Sequence, residues 1–275
     1  MTGSAQTAPE GRFTALVLAG QRPGPDALAE AAGVSHRCLV PTGGVPMLGR
    51  VVDALNASPC VDKVFVSVET PAVLDAIAAH ATRNGHPLPK AVATAETPSQ
   101  SVLKGLEAMP PSPPYLITTA DHALLTPALI DSFCGLAAGS GKQVVTAVAS
   151  ASTIQAAYPD SKRTYLRLRG GSYSGCNLYA VLDPAGRRLI DFWGRIEQER
   201  KRPWRMAWAL GPLMLGRYLL GWLSLDDAAE HLSKLTGVSC AAVVLPVAEA
   251  AIDVDKTADL TLVEHILRQR AGVGV

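Results

Sequence analysis

The sequence predicts an α/β fold built around a mostly parallel sheet, in a single domain that spans residues 1–275. Short continuous apolar runs, typical of strands buried on both faces, alternate with amphipathic segments that have helical spacing. This alternation favours parallel strands joined by helical crossovers. The length would allow one large domain or two small ones. Because no linker or internal repeat divides the chain, we expect one domain.

Apolar segments at regular intervals are predicted to form the strands. The first, at 13–19, is a buried run ended by Gly20, as expected of a central strand. The others lie at 63–68, Tyr115–Thr119, 144–149 and Cys240–Leu245. A two-stranded excursion, formed by 162–169 and 176–182, is predicted around Gly170. The sequence thus predicts a core sheet and one peripheral hairpin.

The segments between the strands have helical spacing. They lie at 46–55, Ala72–Arg83, 101–108, 127–136 and Thr257–Arg270. Thr126 is a predicted N-cap, with Pro127 in the first helical position. The hydroxyls of Ser101 and Thr257 are predicted to cap their own helices. A helical insertion is expected near 187–237.

Composition excludes several classes of protein. Apolar residues make up 48% of the chain and charged residues 18%, which excludes a mainly disordered protein. The net charge of +1 argues against bulk nucleic-acid binding, so no nucleic-acid partner is expected. The five cysteines are scattered without a CxxC pair, which argues against a zinc cluster and fits a reducing compartment. Residues 1–11 show no signal-peptide pattern and are predicted to be flexible, so we expect a cytoplasmic protein.

One stretch departs from the neutral charge balance. Residues 187–205 carry seven basic and three acidic side chains, and residues 206–223 are nearly all apolar. A Gly-Pro pair and Arg217 interrupt the apolar run, which argues against a membrane span. All four tryptophans lie in this stretch: Trp193, Trp204, Trp208 and Trp222. We expect a packed helix pair or a homodimer contact, with peripheral membrane contact through 195–223 as the alternative.

The loop after the first strand is a candidate binding site. It contains Leu18, Ala19, Gly20 and Arg22. Ligands of open α/β sheets bind beyond the carboxyl ends of strands, where a loop of small residues lets backbone N–H groups face phosphates. Arg22 adds a bidentate phosphate donor, and Arg37 lies on the same connection. Neither the Rossmann nor the P-loop motif is present, so an ordinary turn with a solvated arginine is the alternative.

Three aspartates are candidate metal ligands. Asp121 ends a buried strand, where a carboxylate is costly unless it meets a cation or hydrogen-bond donors. Asp253 and Asp255 alternate along the chain, so their side chains share a face. Mg²⁺ is often held by one or two carboxylates together with substrate phosphates. The structural alternatives are a turn aspartate and a pair that complements a helix dipole.

Four segments together resemble the MobA-like NTP transferases, nucleotidyltransferases of the molybdenum-cofactor guanylyltransferase or cytidylyltransferase type. The segments are 16–24 (LVLAGQRPG), 39–48 (LVPTGGVPML), 116–127 (LITTADHALLTP) and 252–260 (IDVDKTADL), in family order and at family spacing. The resemblance implies a single Rossmann-like domain of three layers, similar to the glycosyltransferase-A fold. It also implies Mg²⁺-dependent transfer of a nucleoside monophosphate from GTP or CTP to a phosphorylated acceptor, with release of pyrophosphate.

The resemblance also implies roles for individual residues. The implied nucleotide-binding residues are Leu18, Ala19, Gly20, Arg22, Arg37, Ser99, Ser101 and Asp121, and the implied catalytic residues are Arg22, Arg37 and Asp121. Ser99 and Ser101 fall where the family often contacts the base. Asp121 matches the magnesium ligand, with Asp255 favoured over Asp253 as its partner. Asn177 falls where related enzymes line the acceptor pocket.

The chain departs from the family pattern in two places. Arg37 stands where the family usually has lysine; arginine keeps the charge on a more rigid set of donors. The segment 139–247 is longer than a compact member needs. It carries Lys162 and Arg163, which we expect to contact an anionic small-molecule or lipid-linked acceptor; a solvated basic surface is the alternative.

Two other functions stay open. A glycosyltransferase of similar fold is disfavoured, because Asp121 is not part of an acidic DxD pair. A non-catalytic nucleotide-binding relative is suggested by the arginine at position 37.

Overall fold

The computed structural model describes residues 11–21, 24–198 and 211–272. Within these ranges, eight strands form one mixed sheet and two short strands form a separate antiparallel pair. The strands are β1 (Phe13–Leu18), β2 (Pro41–Thr42), β3 (Val45–Pro46), β4 (Val61–Val68), β5 (Lys90–Ala93), β6 (Tyr115–Thr119), β7 (Val144–Ser150), β8 (Leu166–Leu168), β9 (Gly171–Val181) and β10 (Cys240–Leu245). The predicted flexible segment lies outside the described residues, except for Gly11.

The large sheet has the strand order β10-β7-β9-β6-β1-β4-β5, with β8 paired to β9. Neighbouring strands are parallel except where β9 is involved, so the prediction of a mostly parallel sheet is confirmed. The prediction of a peripheral hairpin is wrong for β9, which lies between β6 and β7. Cys176, Leu178 and Ala180 are fully or almost fully buried at alternate positions, which explains why this strand belongs inside the sheet.

Helices occupy both faces of the sheet. They are α1 (Ala27–Ala32), α2 (Met47–Ala57), α3 (Ala72–Arg83), α4 (Pro98–Ala108), α5 (Pro127–Gly139), α6 (Ala151–Ala157), α7 (Arg187–Gln198), α8 (Pro212–Leu219), α9 (Leu225–Thr236) and α10 (Thr257–Arg270). Alternate residues of β1 pack against helices on opposite faces of the sheet, which shows the three layers. Ala15 and Val17 pack in the core formed with α2, α3 and α5, whereas Leu16 packs with α4. The three-layer prediction is therefore confirmed.

Helix ends confirm one predicted cap and correct two. The hydroxyl of Thr126 accepts the Leu129 N–H at 3.2 Å, as predicted. The predicted cap at Ser101 is wrong because α4 begins at Pro98, with Thr97 as its N-cap. The predicted cap at Thr257 is also wrong, since this residue is already the first of α10.

The predicted helical insertion is confirmed in the described part of 187–237, which forms α7, α8 and α9. Ile190 of α7 packs against the core on the α4 side of the sheet. Leu232 of α9 packs against a cluster that contains Val238 and Cys240. Two of the four insertion tryptophans, Trp204 and Trp208, lie outside the described residues.

The side chains of α8 are an exception to this packing. Leu213 and Leu219 are 77% and 74% exposed, and Trp222 beyond the helix is 61% exposed. No described helix is both long enough and apolar enough to cross a membrane. These side chains do not form the predicted packed pair within the described chain, so the dimer contact and the membrane contact stay predictions.

We predict that this exposed apolar surface binds anionic lipid vesicles at low salt. Each basic residue close to the membrane contributes about 1 kcal/mol, which salt screens, so high salt should release the protein. Joint substitution of Leu213→Ser and Leu219→Ser should reduce the fraction that sediments with vesicles. Leu88→Ser, at an exposed leucine outside α8, is the matched control. Protein that stays in the supernatant at low salt would contradict the membrane contact.

Candidate active site

The carboxyl ends of β1 and β6 meet at a small pocket. The two strands are adjacent and parallel, with Leu18 opposite Thr119. The loops that follow them therefore leave the sheet side by side, where open α/β sheets bind ligands. The pocket is lined by Leu18, Ala19, Gly20, Gln21, Arg37, Cys38, Met47, Ala120 and Asp121. This strand-end pocket brings together most of the residues predicted to bind nucleotide.

An acidic cluster of Asp121, Asp253 and Asp255 adjoins the strand-end pocket. Each residue offers a carboxylate oxygen, and these oxygens lie within 4.8 Å of one another. The Val254 N–H donates to the Asp121 carbonyl at 3.1 Å, which fixes the late segment against the end of β6. Val254 is itself fully buried, so the flanking carboxylates share the other face, as alternation predicted.

The Asp121 carboxylate is only partly compensated. Its Oδ1 atom is buried and has no hydrogen-bond partner among the described residues. Burial raises the pKa of Asp121 to about 6, and the neighbouring carboxylates of Asp253 and Asp255 add to the effect. A buried carboxylate oxygen without a donor is an arrangement that a cation would complete.

The Asp253 carboxylate is held by two side chains. Arg163 donates to its Oδ1 at 2.5 Å, and Asn177 donates to its Oδ2 at 3.2 Å. Burial raises the pKa of Asp253, while the Arg163 guanidinium opposes this shift. Both oxygens already have donors, so Asp255 has the freer carboxylate of the late pair.

Asn177 reaches Asp253 from an irregular part of β9. The register with β7 shifts between Thr146 and Val148, which marks a bulge. Asn177 has a φ of 50°, a left-handed conformation that asparagine adopts more readily than most residues. The bulge re-aims this amide toward the acidic cluster. The structure therefore places Asn177 at the site, although its predicted contact with an acceptor stays a prediction.

Arg37 forms a bridge across the mouth of the site. Its Nε donates to Asp26 at 2.7 Å, and one terminal nitrogen donates to Asp255 at 3.1 Å. Asp26 also accepts the backbone N–H groups of Leu28 and Ala29, so it caps α1 as well. Arg37 also lines the strand-end pocket beside the loop after β1, and its role in nucleotide binding stays a prediction.

The loop after β1 is closely packed. A Cβ on Gly20 would lie 2.9 Å from Thr94 Cγ2 and 3.3 Å from a Glu69 carboxylate oxygen, so any larger residue would force the Thr94 side chain to shift. The Gln21 N–H donates to Glu69 Oε1 at 2.6 Å, and the Ala19 N–H donates to the Ser67 carbonyl at 3.0 Å. These two amides already have partners within the fold. Arg22 lies outside the described residues.

The two serines predicted to contact the base make hydrogen bonds within the protein. Ser99 Oγ donates to Glu197 of α7 at 2.6 Å, and Ser101 Oγ accepts the Ala95 N–H at 2.9 Å. Both side chains are buried. Neither lines the strand-end pocket, so base contact through these hydroxyls stays a prediction.

The two basic residues predicted to contact the acceptor differ from each other. Lys162 is exposed. The Arg163 side chain is only 7% exposed and is paired with Asp253 and, at 2.9 Å, with Asp259. Arg163 therefore stabilises the acidic cluster from inside the fold. An acceptor phosphate could contact Arg163 only by displacing a buried ion pair.

Sequence reasoning missed Asp26, Glu69, Asp259 and Glu197. Asp259 accepts the backbone N–H groups of Asp255 and Lys256 while it pairs with Arg163. Its place within the IDVDKTADL segment was an available signal. The other three follow ordinary loop or helix patterns, and only their long-range contacts show their roles.

Comparisons with known proteins show which family and which fold the chain is similar to. The family model described as the MobA-like NTP transferase domain matches residues 15–184. A 2-C-methyl-D-erythritol 4-phosphate cytidylyltransferase from Nocardia farcinica is 31% identical over 121 residues, which cover 44% of this chain. The match spans about half, 51%, of that relative's length.

Solved structures share the fold. A hypothetical transferase from Thermus thermophilus aligns with a TM-score of 0.74 and 29% identity, over 90% of this chain and 99% of its own. A CMP:2-keto-3-deoxy-manno-octonic acid synthetase in complex with CTP aligns with a TM-score of 0.58 and 15% identity, over 94% and 99%. The 4-diphosphocytidyl-2C-methyl-D-erythritol synthase of Anaerococcus prevotii aligns with a TM-score of 0.56 and 12% identity, over 94% and 99%. The last two show likeness of fold alone.

We predict that Asp121→Asn stabilises the protein when no divalent cation is present. The pKa of Asp121 is higher in the folded state than in the unfolded state, so ionisation of Asp121 costs folding free energy. The cost is fully present above about pH 6, the folded-state pKa, and is absent below the ordinary pKa of 3.8. Two pKa units correspond to at most about 3 kcal/mol. In thermal unfolding with a chelator, the variant should be more stable than the wild type at pH 7.5, and the two should be equally stable near pH 4. Added Mg²⁺ should stabilise only the wild type, and equal stabilisation of both proteins would contradict the metal site.

We predict that Arg163→Ala destabilises the fold by about 3–5 kcal/mol, because it leaves two carboxylates without their buried partner. Urea unfolding at pH 7.5 measures the change. Lys162→Ala, at the exposed neighbouring cation, should change stability by less than about 0.5 kcal/mol. Equal, small effects for both variants would contradict the supporting role of Arg163.

Proposed function

The chain belongs to the MobA-like NTP transferase family, and on that premise we propose that it transfers a nucleoside monophosphate from an NTP to a phosphorylated acceptor. One observation carries the proposal: Arg37 and the Asp121 carboxylate line a pocket at the carboxyl ends of β1 and β6. An acceptor phosphate oxygen would attack the α-phosphorus, and the bond from that phosphorus to the bridging oxygen of the β-phosphate would break. Pyrophosphate would then leave. Phosphate oxygens are anionic near neutral pH, so the attack needs no strong base.

The residues of the site fit a bound Mg²⁺. Carboxylate oxygens are the ligands Mg²⁺ prefers, and the orphaned Asp121 Oδ1 lacks any donor within the described chain. Asp121 and Asp255 would hold the ion. When bound, Mg²⁺ supplies positive charge that offsets the charge on the phosphoryl oxygens.

The protein's own groups orient the reaction. Arg37 is fixed by Asp26 and Asp255, so its guanidinium is already positioned beside the pocket. Asn177 and Arg163 fix Asp253, which keeps the acidic cluster assembled before substrate arrives. Positioning of this kind lowers the barrier without any change in the chemistry of the side chains.

We propose CTP as the preferred NTP. Support comes from the Nocardia relative, which is named as a cytidylyltransferase. GTP is the competing candidate. The acceptor we propose is a phosphomonoester, either a small molecule or a lipid headgroup near the exposed surface of α8.

The proposed reaction is tested by release of pyrophosphate from each NTP with Mg²⁺ and a panel of phosphomonoesters. We predict that Asp121→Asn lowers turnover by about a hundredfold or more, as expected for loss of an electrostatic catalytic group. Leu88→Ser should retain wild-type turnover. If no NTP yields pyrophosphate with any acceptor while NTP still binds, the non-catalytic alternative is favoured.

Arg22 and Arg37 should affect NTP binding in different ways. Arg22→Ala should weaken NTP binding by roughly 1.5–3 kcal/mol, the usual contribution of a charge-assisted hydrogen bond. Arg37→Lys keeps the charge that family members carry and should bind NTP more tightly than Arg37→Ala. Calorimetry with NTP and Mg²⁺, in the absence of an acceptor so that no transfer can occur, measures both effects. If Arg22→Ala leaves the NTP affinity unchanged, Arg22 is an ordinary solvated arginine in a turn.

A further inference from the structure

A second cleft, of about 680 Å³, lies apart from the strand-end pocket. It is enclosed by α2, α3, the start of α5 and the end of α10, and it shares no lining residue with the strand-end pocket. Its charged or titratable lining residues are Arg50, Asp53, His80, His86, Arg268 and Arg270. We name it the cationic cleft. Its size is within the range of small-molecule sites.

The arginines of the cationic cleft lack a matching set of carboxylates. Among the described residues, Arg50 and Arg268 form no ion pair, and Arg270 approaches Glu249 only to 3.9 Å. Arg50 donates instead to two neutral backbone carbonyls, those of Thr42 and Gly43, at 2.6 and 3.2 Å. Three arginines thus line the cleft, and among the described residues only Arg270 forms an ion pair.

The single acid in the lining is committed through one oxygen only, since the buried Oδ1 of Asp53 has no hydrogen-bond partner among the described residues. Asp53 Oδ2 accepts from His80 at 2.5 Å and from the Asn84 amide at 2.7 Å. Burial lowers the pKa of Arg50. The carboxylates of Glu264 and Asp53 oppose this shift, and the neighbouring Arg270 adds to it. The positive end of the α5 dipole, at Pro127, adds to the same potential.

From this arrangement we propose that the cationic cleft binds a small phosphate-bearing anion. Guanidinium groups match phosphate oxygens in bidentate pairs. Between the charged groups, the walls are apolar: Val45, Ala54, Ala57, Leu125 and Leu267. Such walls favour a phosphate ester with a carbon skeleton over inorganic phosphate or pyrophosphate. The proposal does not depend on the function proposed for the strand-end pocket.

Two connections would let this anion influence the strand-end pocket. Arg270 donates to the Leu124 carbonyl at 3.2 Å, three residues beyond Asp121. Arg50 donates to Thr42 and Gly43, in the turn that follows Arg37. An anion that draws these arginines toward itself would act on the segment that carries Asp121 and on the segment that carries Arg37.

Calorimetry of the full-length protein with a chelator present tests the site without a metal in the strand-end pocket. The probes are inorganic phosphate, pyrophosphate and glycerol 3-phosphate. We expect binding of at least one probe, and we expect Arg268→Ala to weaken it about tenfold or more. Arg268 is exposed and, within the part of the chain that the structure describes, bonds only to a carbonyl of its own helix, so the variant should fold. Arg50→Lys, which keeps the charge but loses the planar donors, should also weaken binding.

Two controls separate this site from others. Arg83→Ala removes an exposed arginine of α3 that does not line the cleft, and it should bind like the wild type. Asp121→Asn should still bind the anion, because this change removes no donor of the cationic cleft. Tighter binding of the ester than of both inorganic anions would support the role of the apolar walls. Absence of binding at millimolar concentration, unchanged affinity in both Arg268→Ala and Arg50→Lys, or loss of binding in Asp121→Asn would overturn the proposal.

Discussion

Mutual repulsion among three carboxylates governs the architecture of the candidate active site. Asp121, Asp253 and Asp255 place oxygens within 4.8 Å of one another, a distance at which like charges in a partly buried setting repel strongly. Arg163 offsets this repulsion from inside the fold, and Arg37 offsets it from the mouth of the pocket. The bulge of β9 and the cap of α1 bring further groups to the same place. Much of the local structure therefore follows from holding these acids together.

Local patterns predicted the fold well where a segment is buried in a simple way. Tyr115–Thr119 and Ala72–Arg83 form the predicted strand and helix with the same bounds, because a continuous apolar run or a clear helical stripe has one favourable burial. The position of β9 was not predicted, since strand order depends on contacts between distant segments. The cap of α4 was missed because Thr97 lies before a proline that could equally end a loop.

The sequence predicted the residues of the candidate site that lie at the strand ends, but it did not predict most of the side chains that hold them. Asp121 and Arg37 stand next to apolar runs, so position alone made them informative. In the sequence, Arg163 is one of several cations in a basic segment. In the structure it is buried between Asp253 and Asp259, so its role is to hold these carboxylates. The family model ends at residue 184, yet Asp253, Asp255 and Asp259 lie beyond that point. Part of the site thus lies outside the range that the family model matches.

The separation of these residues along the chain has a consequence for biosynthesis. A ribosome produces Asp121, Arg163 and Asn177 well before Asp253 and Asp259. Until that late segment is available, Arg163 has no counter-ion from it and Asp121 has no companion carboxylates. Contacts between such distant residues also form slowly, because a long loop must close first. A nascent chain that has already paired β1 with β6 would still lack its acidic cluster, so the proposed nucleotidyl transfer would begin only after the late segment has been translated and docked.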